Sequence, residues 1–443
     1  MSISPARLAA FNILLRVDRE SSYADELLHS SILDNLSPLD RNLATEIVMG
    51  VLRWRSVLDE AIARLSFTPF RKLDLEVLIA LRMGVYQKQF LSKIPAHASV
   101  NETVELVKHA KKFSAAGLVN AVMRKVKSAA YDPQASTSAG IAYLSSALAH
   151  PKWLVERWIE NLGNANTKSV CEYDQRIPAT TLRLNSPEDE TVLTEQGIQL
   201  APGALLKNAR TVTGGDLSAA VLDHKISIQD EGSQLVAALV GIGMGDGHRI
   251  LDCCAAPGSK TAAIATRQPT AEIIATELHP HRAELLRKLA PQPNVQVVTA
   301  DALNLPYQAE FDRVLADVPC SGTGTLARNP EIKWKLKPED LVDLQARQIA
   351  ILRAAMNYVR PNGKLVYSTC SLEPEENEQV VNACLQDIKD FQIVPIKEEL
   401  TRLQQSGDLV WKDIDSLISG NFLRTIPGVQ PCDGFFAAVV QKL

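Results

Sequence analysis

In the first 128 residues, hydrophobic positions recur at helical spacing. Leu8, Phe11 and Leu15 share one face, as do Val104 and Val107. Helix starts are legible too. Ser37-Pro38-Leu39-Asp40 offers an N-cap serine, proline at the first helical position and an acid at the third. Ser99-Val100-Asn101-Glu102 reads as a capping box. Strand-like alternation is absent, so this stretch is expected to be wholly helical. Residues 127–139 (KSAAYDPQASTSA) are small and polar and include a proline, the composition of a linker.

A small mixed segment follows. His150-Pro151-Lys152-Trp153-Leu154 opens a helix with Trp158 and Leu162 that Gly163 could stop. Residues 180–184 and 226–228 read as strands and 188–196 as a helix. From about Gly245 the pattern becomes strand, loop, helix. Apolar runs stand at 249–254, 273–278, 295–300, 313–318 and 364–368 with helical segments between them, which predicts a parallel sheet covered on both faces. Two late runs, 391–396 and 434–440, would pair as an antiparallel edge. The expected domains are 1–128, 141–228 and 229–443. In such sheets ligands sit at the carboxyl ends of the strands.

The chain has 443 residues, room for two to four domains at roughly 100–200 residues each. Hydrophobic residues make up 46% and charged residues 22%, which excludes wholesale disorder. No apolar run is long enough for a membrane span, and the N-terminus does not read as a signal peptide. Seven cysteines without a CxxC pair fit a reducing, cytoplasmic setting. Net charge is −4 overall, but residues 1–128 hold 18 basic and 13 acidic side chains. A basic first domain suggests an anionic partner bound there, although ordinary charge scatter explains it equally well.

The candidate chemistry lies just past each strand. After the first comes Asp252-Cys253-Cys254-Ala255-Ala256-Pro257-Gly258-Ser259-Lys260-Thr261, where small residues let a ligand approach the backbone. A phosphate loop would need glycine at the places of Ser259 and Cys254, so that reading fails. After the second stands Glu277, suited to accept hydrogen bonds from both ribose hydroxyls of a nucleoside cofactor; a solvated helix-cap acid is the alternative. Asp301 follows the third strand, placed to accept from an amine such as adenine N6. After the fourth and fifth come Asp317-Val318-Pro319-Cys320-Ser321-Gly322 and Ser368-Thr369-Cys370-Ser371. A lone cysteine is usually a small core hydrophobe, and Cys171, Cys384 and Cys432 read that way. Cys320 and Cys370 sit instead among turn and polar residues, and no paired Cys/His spacing makes them a zinc site. A thiolate near positive charge or a helix N-terminus is a strong nucleophile. The acids of Pro374-Glu375-Glu376-Asn377-Glu378 read as favourable first-turn charges of the next helix.

Taken together, DCCAAPGSKT, DVPCSGTGTLARNPEIKW and YSTCSLEPEENE resemble the RsmB/Sun (Fmu) branch of RNA cytosine-5 methyltransferases. ISIQDEGSQLV and DGFFAAVV match as well, and the resemblance covers essentially the whole chain. VLRWRSVLDEAI, IPAHASVNETVELVKHA and LVNAVMRK are similar to the NusB-like RNA-binding domain of that branch. The resemblance implies an all-α NusB-like domain, a small α+β linking segment and a Rossmann-like class I methyltransferase domain using S-adenosylmethionine. Its substrate would be a cytosine of 16S ribosomal RNA, position 967, in naked rRNA or a small-subunit assembly intermediate. The protein would be a monomer and use neither a metal nor a membrane.

By motif, Cys370 would attack cytosine C6, Cys320 would assist the later elimination, Asp317 would bind the N3/N4 edge and Lys260 would lie close to the base. Cys254, Ala255, Ala256, Pro257, Gly258, Ser259, Lys260, Glu277, Arg282, Asp301 and Asp317 would hold the cofactor. The chain departs from the family pattern at Ser259 for a second glycine, Glu277 for aspartate, and Ile426-Pro427-Gly428 for Leu-Pro-His. None of these removes a catalytic group. Three alternatives stand beside this reading: an RNA-binding assembly factor with an inactive catalytic domain, a related cytosine-5 methyltransferase acting on another RNA, and a thiol hydrolase. The last would need a histidine base beside a cysteine strand end, where the sequence has none.

Overall fold

The computed structural model describes residues 3–443 apart from 21, 93, 129, 137–139, 218–225, 242, 244 and 246. The chain forms two units: Met1–Ile177 with Leu326–Leu336, and Pro178–Thr325 with Lys337–Leu443.

The first unit is helical, as the periodicity predicts. Helix Leu75–Phe90 is buried from Val77 through Gln87 and forms its centre. Helix Pro38–Arg53 packs close to it because residue 50 is glycine; a Cβ there would lie 1.9 Å from Cζ of Tyr86. Ser37 caps that helix, its Oγ accepting from the Asp40 N–H at 3.1 Å. The expected capping box at 99–102 does not form. The helix starts at Ala96 after Pro95, so Ser99 lies inside it, and Glu102 is held by Ser4 N (2.9 Å) and Arg7 Nη1 (3.0 Å). Part of the expected linker is fastened down: Tyr131 donates its hydroxyl to Ala147 O (2.9 Å) and its ring lies 5.4 Å from Trp54 and 5.3 Å from Phe90. Residues 129 and 137–139 of that stretch lie outside the described residues. Gly163 (φ 79°) interrupts the helix opened by Lys152, as expected, but helix resumes beyond it and runs to Asp174.

Leu326–Leu336 folds with this helical unit. Arg53 Nη2 donates to Ala327 O (2.9 Å), Ala24 N to Glu331 Oε1 (2.8 Å), Trp334 Nε1 to Leu52 O (2.5 Å) and Lys335 Nζ to Ser22 O (2.8 Å). Lys333 is buried, and that burial pulls its pKa down to about 7.

The second unit contains two sheets. The smaller has order β2-β3-β1-β4, from β1 (Thr181–Leu184), β2 (Gln199–Pro202), β3 (Ala209–Gly214) and β4 (Ile226–Ile228). β1 and β4 match the sequence pattern; β2 and β3 were not anticipated, being short and mostly half-exposed. Glu231 secures the turn between them, its buried carboxylate accepting from Ala204 N (2.8 Å), Leu205 N (2.7 Å) and Leu206 N (2.9 Å).

The larger sheet is built from β5 (Arg249–Asp252), β6 (Glu272–Glu277), β7 (Val295–Thr299), β8 (Phe311–Asp317), β9 (Val359–Thr369), β10 (Phe391–Val394), β11 (Ile418–Ser419), β12 (Phe422–Arg424) and β13 (Phe436–Lys442). Its order is β11-β12-β13-β9-β8-β5-β6-β7, with β10 on β13. β5 through β9 are parallel, and β13 joins β9 antiparallel, as do the two late runs to each other. This is a Rossmann-like order, and the order in which strands are added across the sheet reverses between β5 and β8. Ile250, Leu251, Ile273, Ile274, Val314, Leu315, Leu365 and Val366 are buried, as strands covered on both faces require.

A buried ion cluster fixes the helical unit. Arg82 reaches Asp59 with two nitrogens (2.6 and 2.8 Å) and Asp18 with a third (3.3 Å). Removing Arg82 leaves the Asp59 carboxylate without its ion partner, while Asp18 keeps Arg55 at 3.0 Å, so the cost falls at the low end of about 3–5 kcal/mol. Arg82→Met is therefore expected to lower the unfolding free energy by about 3 kcal/mol in denaturant titration; an unchanged midpoint would contradict it.

Candidate active site

The strand ends at the point where the strand order reverses gather the side chains singled out from the sequence. β5 ends at Asp252, and the turn Cys253–Gly258 leads into helix Ser259–Arg267. Gly258 has φ 121°, a conformation open to glycine, and a Cβ there would meet Leu286 Cδ1 at 2.9 Å. Thr276 O accepts from Ala255 N at 2.9 Å, so the turn is held against β6. Asp252 is buried and its Oδ2 accepts from Thr261 Oγ1 (2.7 Å). Burial pushes its carboxyl up to about 7.

Glu277 ends β6 and is 5% exposed. Its Oε1 accepts from His279 N (2.9 Å), and its Oε2 has Arg282 Nη1 at 3.8 Å. Arg282 also donates to Ala256 O at 3.4 Å, linking the first two strand ends. The cradle therefore offers a buried carboxylate that can accept hydrogen bonds and a turn of small residues, a chemistry that fits a nucleoside. Asp301 is exposed and makes its hydrogen bond within its own turn, accepting from Leu303 N at 3.0 Å.

Lys260 and Asp317 come together at 2.8 Å. Burial disfavours charge on Lys260, yet Asp317, Cys370 and Asp252 outweigh it and raise its pKa, so the ammonium persists. The other oxygen of Asp317 accepts from Ser368 Oγ at 2.7 Å. β8 and β9 place Asp317 opposite Ser368, and just beyond them Cys320 Sγ lies 3.3 Å from Cys370 Sγ. Both thiols are half-buried. The hydrogen bond to Cys370, then burial, raises the Cys320 thiol well above its ordinary range. Cys171, Cys384 and Cys432 are fully buried core residues, as expected.

Sequence reasoning passed over the polar side chains behind the thiols. Glu376 and Asn377 are fully buried and hydrogen-bonded to the cysteine loops, so Glu376 is no solvated first-turn charge. The available signal was the serine directly after each cysteine, which gives a buried acid two donors. The departure at 426–428 also lies near this region: Gly428 has φ 80°, and Pro427 Cδ is 3.0 Å from where a Cβ on Gly434 would stand. Gly434 N donates to Gly324 O at 2.7 Å, in the turn after Cys320.

Residues 242–441 match the family model for 16S rRNA methyltransferase RsmB/F, and residues 4–128 match the NusB family. Over its whole length the chain is 30% identical to the "Probable ribosomal RNA small subunit methyltransferase B" of Bacillus subtilis, covering all of both chains. The chain belongs to the RsmB family. The ribosomal RNA small subunit methyltransferase B of Vibrio cholerae is 31% identical, over 92% of this chain and 91% of that one. The crystal structure of PH0851 covers all of both chains at 22% identity with a TM-score of 0.81, a likeness of fold. In this RsmB-family chain the NusB match lies within the helical unit, and the RsmB/F match spans the larger sheet together with Leu326–Leu336 of the helical unit.

A thiol held protonated reacts slowly with alkylating agents, because the thiolate is the nucleophile. A free cysteine is half ionised at about pH 8.5. Cys320 is therefore expected to be alkylated by iodoacetamide with a rate that is still climbing above about pH 10, read by peptide mass spectrometry. A plateau near the free-thiol value would contradict the raised pKa.

Proposed function

We propose that the chain is an S-adenosylmethionine-dependent 16S rRNA methyltransferase acting on C5 of a cytosine, position 967, through a covalent adduct between Cys370 and C6. The observation that carries this reading is the 3.3 Å approach of Cys320 and Cys370 beside the Lys260–Asp317 pair. The names of the relatives from B. subtilis and V. cholerae support small-subunit rRNA as the substrate. The NusB-family domain, basic on balance, would supply RNA affinity in the cytoplasm, on rRNA or an assembly intermediate.

Cytosine C5 is a poor nucleophile. Adding the Cys370 thiolate to C6 forms a sulfur–carbon bond and moves the C5=C6 electron pair to C5, with negative charge spread toward N3 and the ring carbonyl. Asp317 would contact the N3/N4 edge and Lys260 would stabilise that charge, both fixed in advance by their mutual ion pair. Once C5 carries its methyl group, its proton must leave and the sulfur–C6 bond must break. Cys320 would assist that elimination. A base inside a helix would have to be turned out to reach these groups.

S-adenosylmethionine, when bound, would supply an electrophilic methyl group. Cys254, Ala255, Ala256, Pro257, Gly258, Ser259 and Lys260 would line its cradle, with Arg282, Asp301 and Asp317 around it. Glu277 would accept from the ribose hydroxyls; one carbon longer than aspartate, it reaches the cradle from a buried position.

Three predictions test these roles. Glu277→Ala is expected to raise the cofactor dissociation constant about tenfold, since a charged hydrogen bond contributes ~1.5–3 kcal/mol; unchanged affinity in calorimetry would reject the ribose role. Cys370→Ala is expected to abolish methylation of 16S rRNA and leave cofactor affinity within a few-fold. Cys320→Ser is expected to accumulate a protein–RNA adduct that survives denaturing gels and disappears when Cys370→Ala is added. Normal turnover in either single variant would overturn its assignment.

A further inference from the structure

Two thiols can act on one base only if both loops are held in register, and a single buried carboxylate contacts both loops. Glu376 is 0% exposed. Its Oε1 accepts from Ser321 N (2.8 Å) and from Gln348 Nε2 (2.9 Å). Its Oε2 accepts from the hydroxyls of Ser321 and Ser371. Gln348 Nε2 also donates to Pro319 O (3.0 Å). Pro319 and Ser321 flank Cys320, and Ser371 follows Cys370.

Among the described residues no cation pairs with Glu376. Its burial is offset by hydrogen bonds alone, so each donor is fixed by the cost of leaving a charge unsatisfied. Neighbouring contacts extend the clamp. Asn377 Oδ1 accepts from Thr369 Oγ1 (2.5 Å), and its Nδ2 donates to Ser371 O (2.9 Å). Gly324 N donates to Cys370 O (2.9 Å), and Leu372 N to Thr323 Oγ1 (2.9 Å).

We infer that Glu376 is a positioning residue that sets the spacing of Cys320 and Cys370 without touching substrate, an inference that rests on the two-cysteine reading above. Aspartate is one carbon too short to reach both loops. Glutamine keeps the length: its carbonyl can still accept from Ser321 N and Gln348, and both serine hydroxyls can turn to accept from its amide.

The test uses the full-length protein with Glu376→Asp, Glu376→Gln and Ser371→Ala. Spacing is read with phenylarsine oxide, whose arsenic bridges two thiols with loss of one water; the Cys320→Ser variant gives the background from other cysteines. Glu376→Asp is expected to lose about 100-fold in kcat and at least tenfold in arsenical affinity. The KM for RNA and the Kd for S-adenosylmethionine should stay within about threefold. Glu376→Gln should recover kcat to within about tenfold of wild type and keep arsenical affinity. If Glu376→Asp does not fold, Ser371→Ala carries the test, with about tenfold losses expected in both readouts. Wild-type kcat or wild-type arsenical affinity in the folded variant overturns the inference. So does a parallel loss of cofactor and RNA binding, which marks a merely structural role. The arsenical readout needs only the thiol pair, so an active Cys370→Ala would defeat the nucleophile reading while leaving the clamp measurable.

Discussion

The parallel pairing of β8 with β9 is the constraint on which the site depends. With Asp317 opposite Ser368, the two strands deliver their carboxyl ends side by side, and the chain needs only three further residues to reach Cys320 and two to reach Cys370. The same register lets Ser368 orient Asp317, which in turn holds Lys260 from the turn after β5. A slip of one residue along either strand would turn these side chains to the other face of the sheet. Apolar burial on both faces of the central strands fixes that register.

Within each unit, polar groups are buried in hydrogen-bonded sets. Glu376 is surrounded by donors, Glu231 holds three consecutive backbone amides, and Arg82 sits between two aspartates. Each set is directional in a way that hydrophobic packing is not. The helical unit also completes a stretch of the methyltransferase sequence. Leu326–Leu336 begins six residues after Cys320 and takes its hydrogen bonds from Arg53, Ala24, Leu52 and Ser22. A chain starting near residue 141 would leave that segment without these partners, so the first 140 residues serve its folding.

Strands β5 to β9 were legible because each is a short apolar run followed by a helix, a pattern with one common solution. Cys320 and Cys370 stood out because thiols among turn and polar residues make poor core fillers. Glu376 was missed because an acid at a helix start is usually a solvated charge; only the fold reveals the serines of two separate loops converging on it. The capping box at 99–102 has the right letters, but Arg7 and Ser4, almost a hundred residues away, claim Glu102. β2 and β3 escaped because short, half-exposed strands carry little alternation. That 326–336 folds with the helices is a matter of long-range packing, which local pattern does not encode.

The central claim is that this chain places one methyl group on C5 of a cytosine in 16S rRNA by way of Cys370. Bisulfite mapping of 16S rRNA tests it most directly, in a strain lacking the gene and in the same strain carrying either the wild-type or the Cys370→Ala gene. The account predicts that one 5-methylcytosine disappears on deletion, returns with the wild-type gene and does not return with Cys370→Ala. An unchanged 5-methylcytosine pattern in the deletion strain, or full restoration by Cys370→Ala, would contradict it.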